Sequence, residues 1–187
     1  LKNNNKKKEI FSFDINYNQK IIIYSSKYNN SYEKDGAKLY EFFKKENLNK
    51  IHILGDTIDN KNTVKCLHEL VHGMKLKSYV FNKYLTKKNS ENLYLNIISR
   101  KKTDSKLIKK FNAIEKGVNF TKDLVSEPGN VLHPDEYAKR LTQLRKIGLK
   151  ITIYNTKKLK KIKCNALLGV GQGSSRGSYI VTMEWKG

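Results

Sequence analysis

Apolar residues recur along this chain with two different periods, and the switches between them lay out an alternation of strands and helices. Positions 10–15 and 20–25 are short runs rich in β-branched and aromatic residues, the second holding Ile21, Ile22, Ile23 and Tyr24, and both read as strands. Over 35–46 the pattern changes: Leu39, Phe42 and Phe43 share one face of a helix. Asn47 to Lys50 break it, and 51–54 reads as a buried strand ending at Gly55 and Asp56. Positions 62–72 predict a second helix with Val64, Leu67, Leu70 and Val71 inward and Gly73 closing it. Further strands are expected at 78–81 and 93–98. Strands alternating with helices predict an α/β sandwich with a largely parallel sheet, ending near Arg100.

A long helix follows over 105–125, where Ile108, Phe111, Ile114, Val118 and Val125 repeat at helical spacing. Pro128 and Gly129 stop it. Pro134 suits the first turn of another helix, with Asp135 and Glu136 complementing its dipole and Gly148 as terminator. Strands at 151–154, 167–170 and 179–185 and a short basic helix at 157–162 complete the pattern. The expected organisation is an α/β domain over 1–102 with a polar, disordered basic tail at 1–8, a linking helix over 103–126, and a second α/β unit over 127–187 that does not finish.

Charge changes this picture less than its size suggests. Lys and Arg total 38 against 17 Asp and Glu, a net charge of +21, which ordinarily points toward nucleic acid. Almost all of it is lysine, with arginine only at Arg100, Arg140, Arg145 and Arg176, whereas bidentate phosphate and base recognition draws on arginine. Nucleic acid is therefore a possible partner but not the favoured one; a solvated lysine surface is. No apolar run approaches the ~20 residues that span a bilayer, so no membrane association is expected. Cys66 and Cys164 lie in unrelated contexts and fit a reduced, cytoplasmic setting better than a disulfide framework. The chain opens on Leu1 rather than Met, which suggests that its true start lies upstream.

Three constellations carry candidate chemistry. His68-Glu69-Leu70-Val71-His72 fits H-E-x-x-H, in which two histidines four apart on a helix hold zinc and the glutamate acts as general base. Against that zincin reading, the extended form wants a histidine at position 78, which is Ser78, and His52 and His133 lie in unrelated segments. Gly169-Val170-Gly171-Gln172-Gly173-Ser174-Ser175 follows an expected strand, yet matches neither phosphate-loop form; a tight turn with positive φ is preferred. Asp123, Glu127, Asp135 and Glu136 are the densest acidic group, and helix-terminus roles explain them as well as a metal site would. Ser174, Ser175 and Ser178 lack a histidine and acid partner for nucleophilic work.

Segments 123–134, 166–174 and 178–187, together with 73–87, resemble the leucyl aminopeptidase (cytosol aminopeptidase) family, where the same blocks recur in this order ahead of the metal-binding motifs. In that alignment His68 and His72 are ordinary helix positions. Ser126, Gly129, His133 and the pair Arg176 and Gly177 depart from the usual Asn, Pro, Thr and proline-rich segment, all at scaffold positions. The resemblance implies a macro-like N-terminal α/β sandwich, a linking helix and the incomplete opening of an α/β metallopeptidase domain. The implied enzyme is a cytoplasmic homohexamer that removes N-terminal residues, preferably leucine, from peptides. It uses two divalent ions, Mn2+ or Zn2+, to activate a water and polarise the scissile carbonyl, while a lysine and an arginine stabilise the oxyanion. The family's V-G-K-G-x-T-F-D and N-T-D-A-E-G-R blocks have no counterpart within residues 1–187. The expectation is therefore an N-terminal fragment with no catalytic, cofactor-binding or metal-ligating residue of its own and no bound metal.

Overall fold

The computed structural model describes residues 10–26, 31–58, 60–86 and 93–186. The tail at 1–8 lies outside them. The chain divides into two compact units, Leu1–Asn119 and Phe120–Gly187.

The first unit opens with a hairpin. Strands β1 (Ile10–Asn16) and β2 (Gln19–Tyr24) pair antiparallel, with Phe11 opposite Ile23, Phe13 opposite Ile21 and a bulge between Asp14 and Asn16. Helix α1 (Tyr32–Lys45) follows, with Glu33 and Asp35 in its first turn and Lys44 and Lys45 in its last, both complementing the dipole. Strand β3 (Lys50–Leu54) leads through a 3-10 turn at Gly55–Thr57 into α2 (Thr63–Lys77), and β4 (Tyr94–Ile98) returns parallel to β3. Leu39, Phe43, Leu70 and Met74 form the core between the two helices, and inward residues of all four strands pack against it, Ile22, Ile51, Ile53 and Leu95 among them. Asp35 is fully buried and accepts hydrogen bonds from Tyr24 Oη (2.5 Å) and from Ser26 Oγ.

The α/β class is as expected, but the sheet is not largely parallel. Among the described residues of this unit stand two separate two-stranded ladders, one antiparallel and one parallel. Gly73 does not close α2 either, which runs one turn further to Lys77. A Cβ at Gly73 would sit 2.7 Å from the Glu33 carbonyl carbon, and one at Gly36 would sit 2.9 Å from that of Leu70. The two glycines are thus the contact points of two closely crossing helix backbones. The stretch expected as a strand at 78–81 belongs to no ladder among the described residues: Tyr79, Val80 and Phe81 have β-favouring side chains, but Val80 is exposed.

Helix α3 (Ser105–Ser126) ends just ahead of Glu127 and Pro128, as its sequence predicts. In the second unit, Pro134 opens α4 (Pro134–Leu141), which tightens into a 3-10 segment at Thr142–Ile147 and stops at Gly148 with φ of 97°. Left-handed backbone of this kind favours glycine. A Cβ there would also press on the Trp185 ring at 3.1 Å. Strand β5 (Lys150–Tyr154) pairs antiparallel with β6 (Ile180–Glu184), and between them lie α5 (Thr156–Lys161), capped by the Asn155 side chain, and α6 (Asn165–Gly171).

The strand expected at 167–170 is therefore helix. Ala166, Leu167 and Leu168 are strong helix formers, and a short apolar run does not by itself distinguish the two states. Val170 is left exposed, as no buried strand would leave it. The positive-φ turn expected at 169–175 is absent with it: among the described residues Gly148 is the one glycine with positive φ.

Candidate functional site

The H-E-x-x-H residues lie together on α2, but their side chains are taken up by the fold. His72 is buried, with Nδ1 2.9 Å from Glu115 Oε1 and its ring centroid 4.6 Å from that of Phe111, both on α3. Lys75 Nζ holds the other Glu115 oxygen at 3.2 Å. Glu69 pairs with Lys65 at 3.7 Å. His68 is 8% exposed, and its Nε2 has no hydrogen-bond partner. The arrangement sets a helix–helix packing and does not converge on a point where an ion would sit. Among the described residues no three His, Cys, Asp or Glu side chains group in a way that would hold a metal.

Burial holds the His68 imidazole below the usual 6.5, with Lys75 adding to the depression and Asp104 opposing it. Because the folded pKa is the lower one, the unfolded chain takes up a proton first as pH falls. His68 should therefore cost no stability above about 6.5, and the fold should weaken as pH drops below that value through the folded pKa. Thermal melts across this range should slope downward toward acid, and His68→Leu should flatten part of that slope. An unchanged slope in the variant would show that His68 is not responsible.

The acidic group resolves into an ion-pair network at the start of α4. Arg140 spans Glu127 (Nη1 to Oε1, 2.6 Å) and Glu136 (Nε to Oε1, 3.1 Å), and Lys139 approaches Glu136 at 3.6 Å. Arg140 comes first among the causes that hold Glu136 below the usual carboxylate range. At Asp135 burial is the largest single influence and pushes upward, but the His133 hydrogen bond, the local backbone and Arg176 outweigh it and lower the pKa. Asp123 lies in the last turns of α3. Cations occupy the faces of Glu127, Asp135 and Glu136 that a metal would need.

The glycine-rich stretch ends α6 and then turns back toward β6. Thr156 Oγ1 donates to the Ser178 carbonyl at 3.3 Å and accepts from its N–H at 3.1 Å, and Ser174 Oγ accepts from the Arg176 N–H. Ser178 takes part through its backbone and Ser174 through its hydroxyl.

One feature escaped the sequence reasoning. Parallel strands β3 and β4 both run into an open groove of about 640 Å³, lined by Asp56, Ile58, Asn60, Thr63, Arg100 and Lys101 among others. Asp56 accepts from Ser99 Oγ (2.7 Å) and the Arg100 N–H (3.0 Å), first the serine and then the backbone lowering its pKa, while Lys101 Nζ donates to Thr63 Oγ1 (2.9 Å). Gly55-Asp56 and Ser99-Arg100 carry the signal in the sequence, which becomes legible only once the two strands are known to be neighbours.

Comparison with known proteins bears on the second unit most directly. Residues 119–187 match the cytosol aminopeptidase family, catalytic domain. A probable cytosol aminopeptidase of Phytoplasma australiense is 37% identical over 145 residues, covering 74% of this chain and 29% of that protein. One from Bradyrhizobium is 42% identical over 123 residues, covering 63% and 25%. The chain thus spans under a third of the length of these relatives. Among solved structures, a tomato leucine aminopeptidase mutant superposes with a TM-score of 0.76 at 18% identity, covering 92% of this chain and 37% of that one. The bottromycin maturation enzyme BotP in complex with Mn gives 0.74 at 14% identity, covering 95% and 39%. At such identities the structural likeness establishes a shared α/β fold.

Proposed function

We infer that this chain is the amino-terminal part of a cytosol aminopeptidase, and that it works as part of a metal-dependent hydrolase removing N-terminal residues, leucine above all, from peptides. The observation that carries this reading is the match of residues 119–187 to the family's catalytic domain. It is joined by the fold of the second unit, where β5 and β6 make a two-stranded antiparallel ladder.

Within that enzyme these 187 residues would supply scaffold. Two divalent ions, manganese or zinc, would provide Lewis acidity and an activated water to the complete enzyme, but the residues here do not fit a site for them. The second unit instead contributes a clamped helix start, through Glu127 and Arg140, ahead of the segment where the family places its ligands. We therefore expect the 187-residue polypeptide with Mn2+ or Zn2+ to show no hydrolysis of a leucyl amide above the metal-only rate. Metal-dependent turnover by the purified chain would contradict this assignment. The cytosolic setting fits two cysteines that form no disulfide, and no helix among the described residues is long and apolar enough to cross a membrane. A homohexamer is the assembly that goes with this reading.

A second reading, nucleic-acid binding, draws on the exposed lysines at 157, 158, 160, 161 and 163 in and after α5. Retention on duplex DNA that falls steeply with salt would favour it, and no retention at low salt would remove it.

A further inference from the structure

The groove of the first unit holds chemistry that neither the packing of that unit nor the proposed hydrolase uses. Strand β3, helix α2 and strand β4 make one βαβ unit. β3 stops at Leu54, β4 stops beside it at Ile98, and α2 begins at Thr63, which lines the groove. Ligands of α/β sheets settle outside the carboxyl ends of parallel strands, where loops decide the lining. At about 640 Å³ the groove has the size of a site for a small organic molecule.

We propose that this groove binds a small phosphate monoester, with the Arg100 and Lys101 side chains and the first turn of α2 holding its phosphoryl group. The lining selects that chemistry in three ways.

Its charges differ in their commitments. Asp56 is taken up by the wall: Oδ1 accepts from Ser99 Oγ at 2.7 Å, and Oδ2 from the Arg100 N–H at 3.0 Å. Those two bonds lead in holding its pKa down, and the Arg100 and Lys101 cations add to them from nearby. Neither cation makes an ion pair among the described residues. The groove therefore has donors to spare and a carboxylate whose oxygens are already engaged.

Lys101 is also fixed where its charge is least welcome to the fold. Its Nζ donates at 2.9 Å to Thr63 Oγ1, and Thr63, 4% exposed, donates in turn to the Asn60 carbonyl at 2.7 Å. Thr63 is the first residue of α2, whose first turn contains no acidic residue and whose Asn62 makes no side-chain cap. An ammonium held at the positive end of a helix dipole costs stability until an anion arrives there. A phosphoryl group brings three acceptor oxygens. They match three sources of donors: the Arg100 fork, the protons of Lys101 not given to Thr63, and the uncapped N–H groups of the first turn.

The remaining lining suits a carbon skeleton attached to that group. Thr57 and Asn60 offer a hydroxyl and an amide, and Ile58 an aliphatic surface.

Calorimetry and amide NMR titrations of the whole chain with AMP test the proposal, with adenosine as the control that lacks the phosphoryl group. Salt at about 0.15 M screens diffuse attraction to the lysine surface. The expected result is saturable one-to-one binding of AMP, displaced by inorganic phosphate, and no binding of adenosine. Amide shifts should concentrate at Asp56, Thr63, Val64, Lys65, Arg100 and Lys101. Arg100→Ala and Lys101→Ala, with circular dichroism unchanged, should each weaken AMP about tenfold or more. The double variant Lys160→Ala, Lys161→Ala removes two charges from the second unit and should bind AMP as the parent chain does. Absence of AMP binding, adenosine bound as tightly as AMP, or affinity unmoved by Arg100→Ala and Lys101→Ala would each overturn the proposal. Equal loss in the Lys160 and Lys161 variant would do the same, by reducing the effect to diffuse charge. A single-stranded oligonucleotide held more tightly than AMP by the same residues would also overturn it, in favour of nucleic acid.

Discussion

Replacing Gly73 by alanine is expected to unfold the first unit or to weaken it by more than about 3 kcal/mol, beyond the usual range for overpacking. The ground is geometric. The added carbon falls 2.7 Å from the Glu33 carbonyl carbon and 2.9 Å from Glu33 Cα. Those are backbone atoms of α1, and no rotamer change relieves the clash. The helices must separate, and the core formed by Leu39, Phe43, Leu70 and Met74 lies between them. Gly36→Ala should act in the same way from the other helix, against Leu70 and the Met74 amide nitrogen at 3.1 Å.

Gly117 supplies the contrast. It also sits inside a helix, but a Cβ there meets nothing within 4 Å, so Gly117→Ala should stabilise α3 by roughly 0.5–1 kcal/mol. The same substitution thus has opposite signs at two helical glycines. Far-UV circular dichroism and amide exchange in α1 and α2 would read the difference. If Gly73→Ala melts like the parent chain, the close crossing of the two helices is wrong.

Arg140→Ala is the second large effect. Only 1% of the Glu127 side chain is exposed, and its partner guanidinium lies 2.6 Å away with 17% exposed. Removing one member of a buried pair leaves the other charge without compensation, which typically costs about 3–5 kcal/mol. Glu136 loses the Arg140 Nε hydrogen bond at the same time. Arg140→Lys keeps the charge without the fork that reaches both carboxylates, so it should lose less. Combining Arg140→Met with Glu127→Gln should recover part of the loss, because neither charge is then stranded. Trp185, the single tryptophan, belongs to the same unit and reports its unfolding by fluorescence. A midpoint unmoved by Arg140→Ala would mean that the pair does not hold the start of α4.

Local patterns were legible in the sequence, and features made by tertiary contact were not. The two strands β1 and β2 taken singly, α1, β3, α3 and the Pro134 start of α4 all follow from period, cap and breaker residues that act within a few positions. Gly73 misled because a glycine near the end of an apolar pattern reads as a stop, whereas here it answers a neighbouring backbone that no local window contains. Tyr79, Val80 and Phe81 have strand propensity but join no ladder among the described residues. The stretch from Ala166 to Gly171 is short and apolar, and such a run does not by itself distinguish helix from strand. The candidate chemistry divides in the same way. H-E-x-x-H was visible as a spacing, but its commitment to Glu115 and Phe111 required α3 in place. The groove beyond β3 and β4 needed their parallel pairing.

The measurement that bears most directly on the central assignment is a fusion. Residues 1–187 would be joined to the remainder of the Phytoplasma australiense relative and assayed with Mn2+ on a leucyl amide, beside the 187-residue chain alone. The account predicts a folded chimera with metal-dependent turnover and no turnover from the shorter chain. A chimera that folds and stays inactive, or a shorter chain that hydrolyses the substrate by itself, would contradict it.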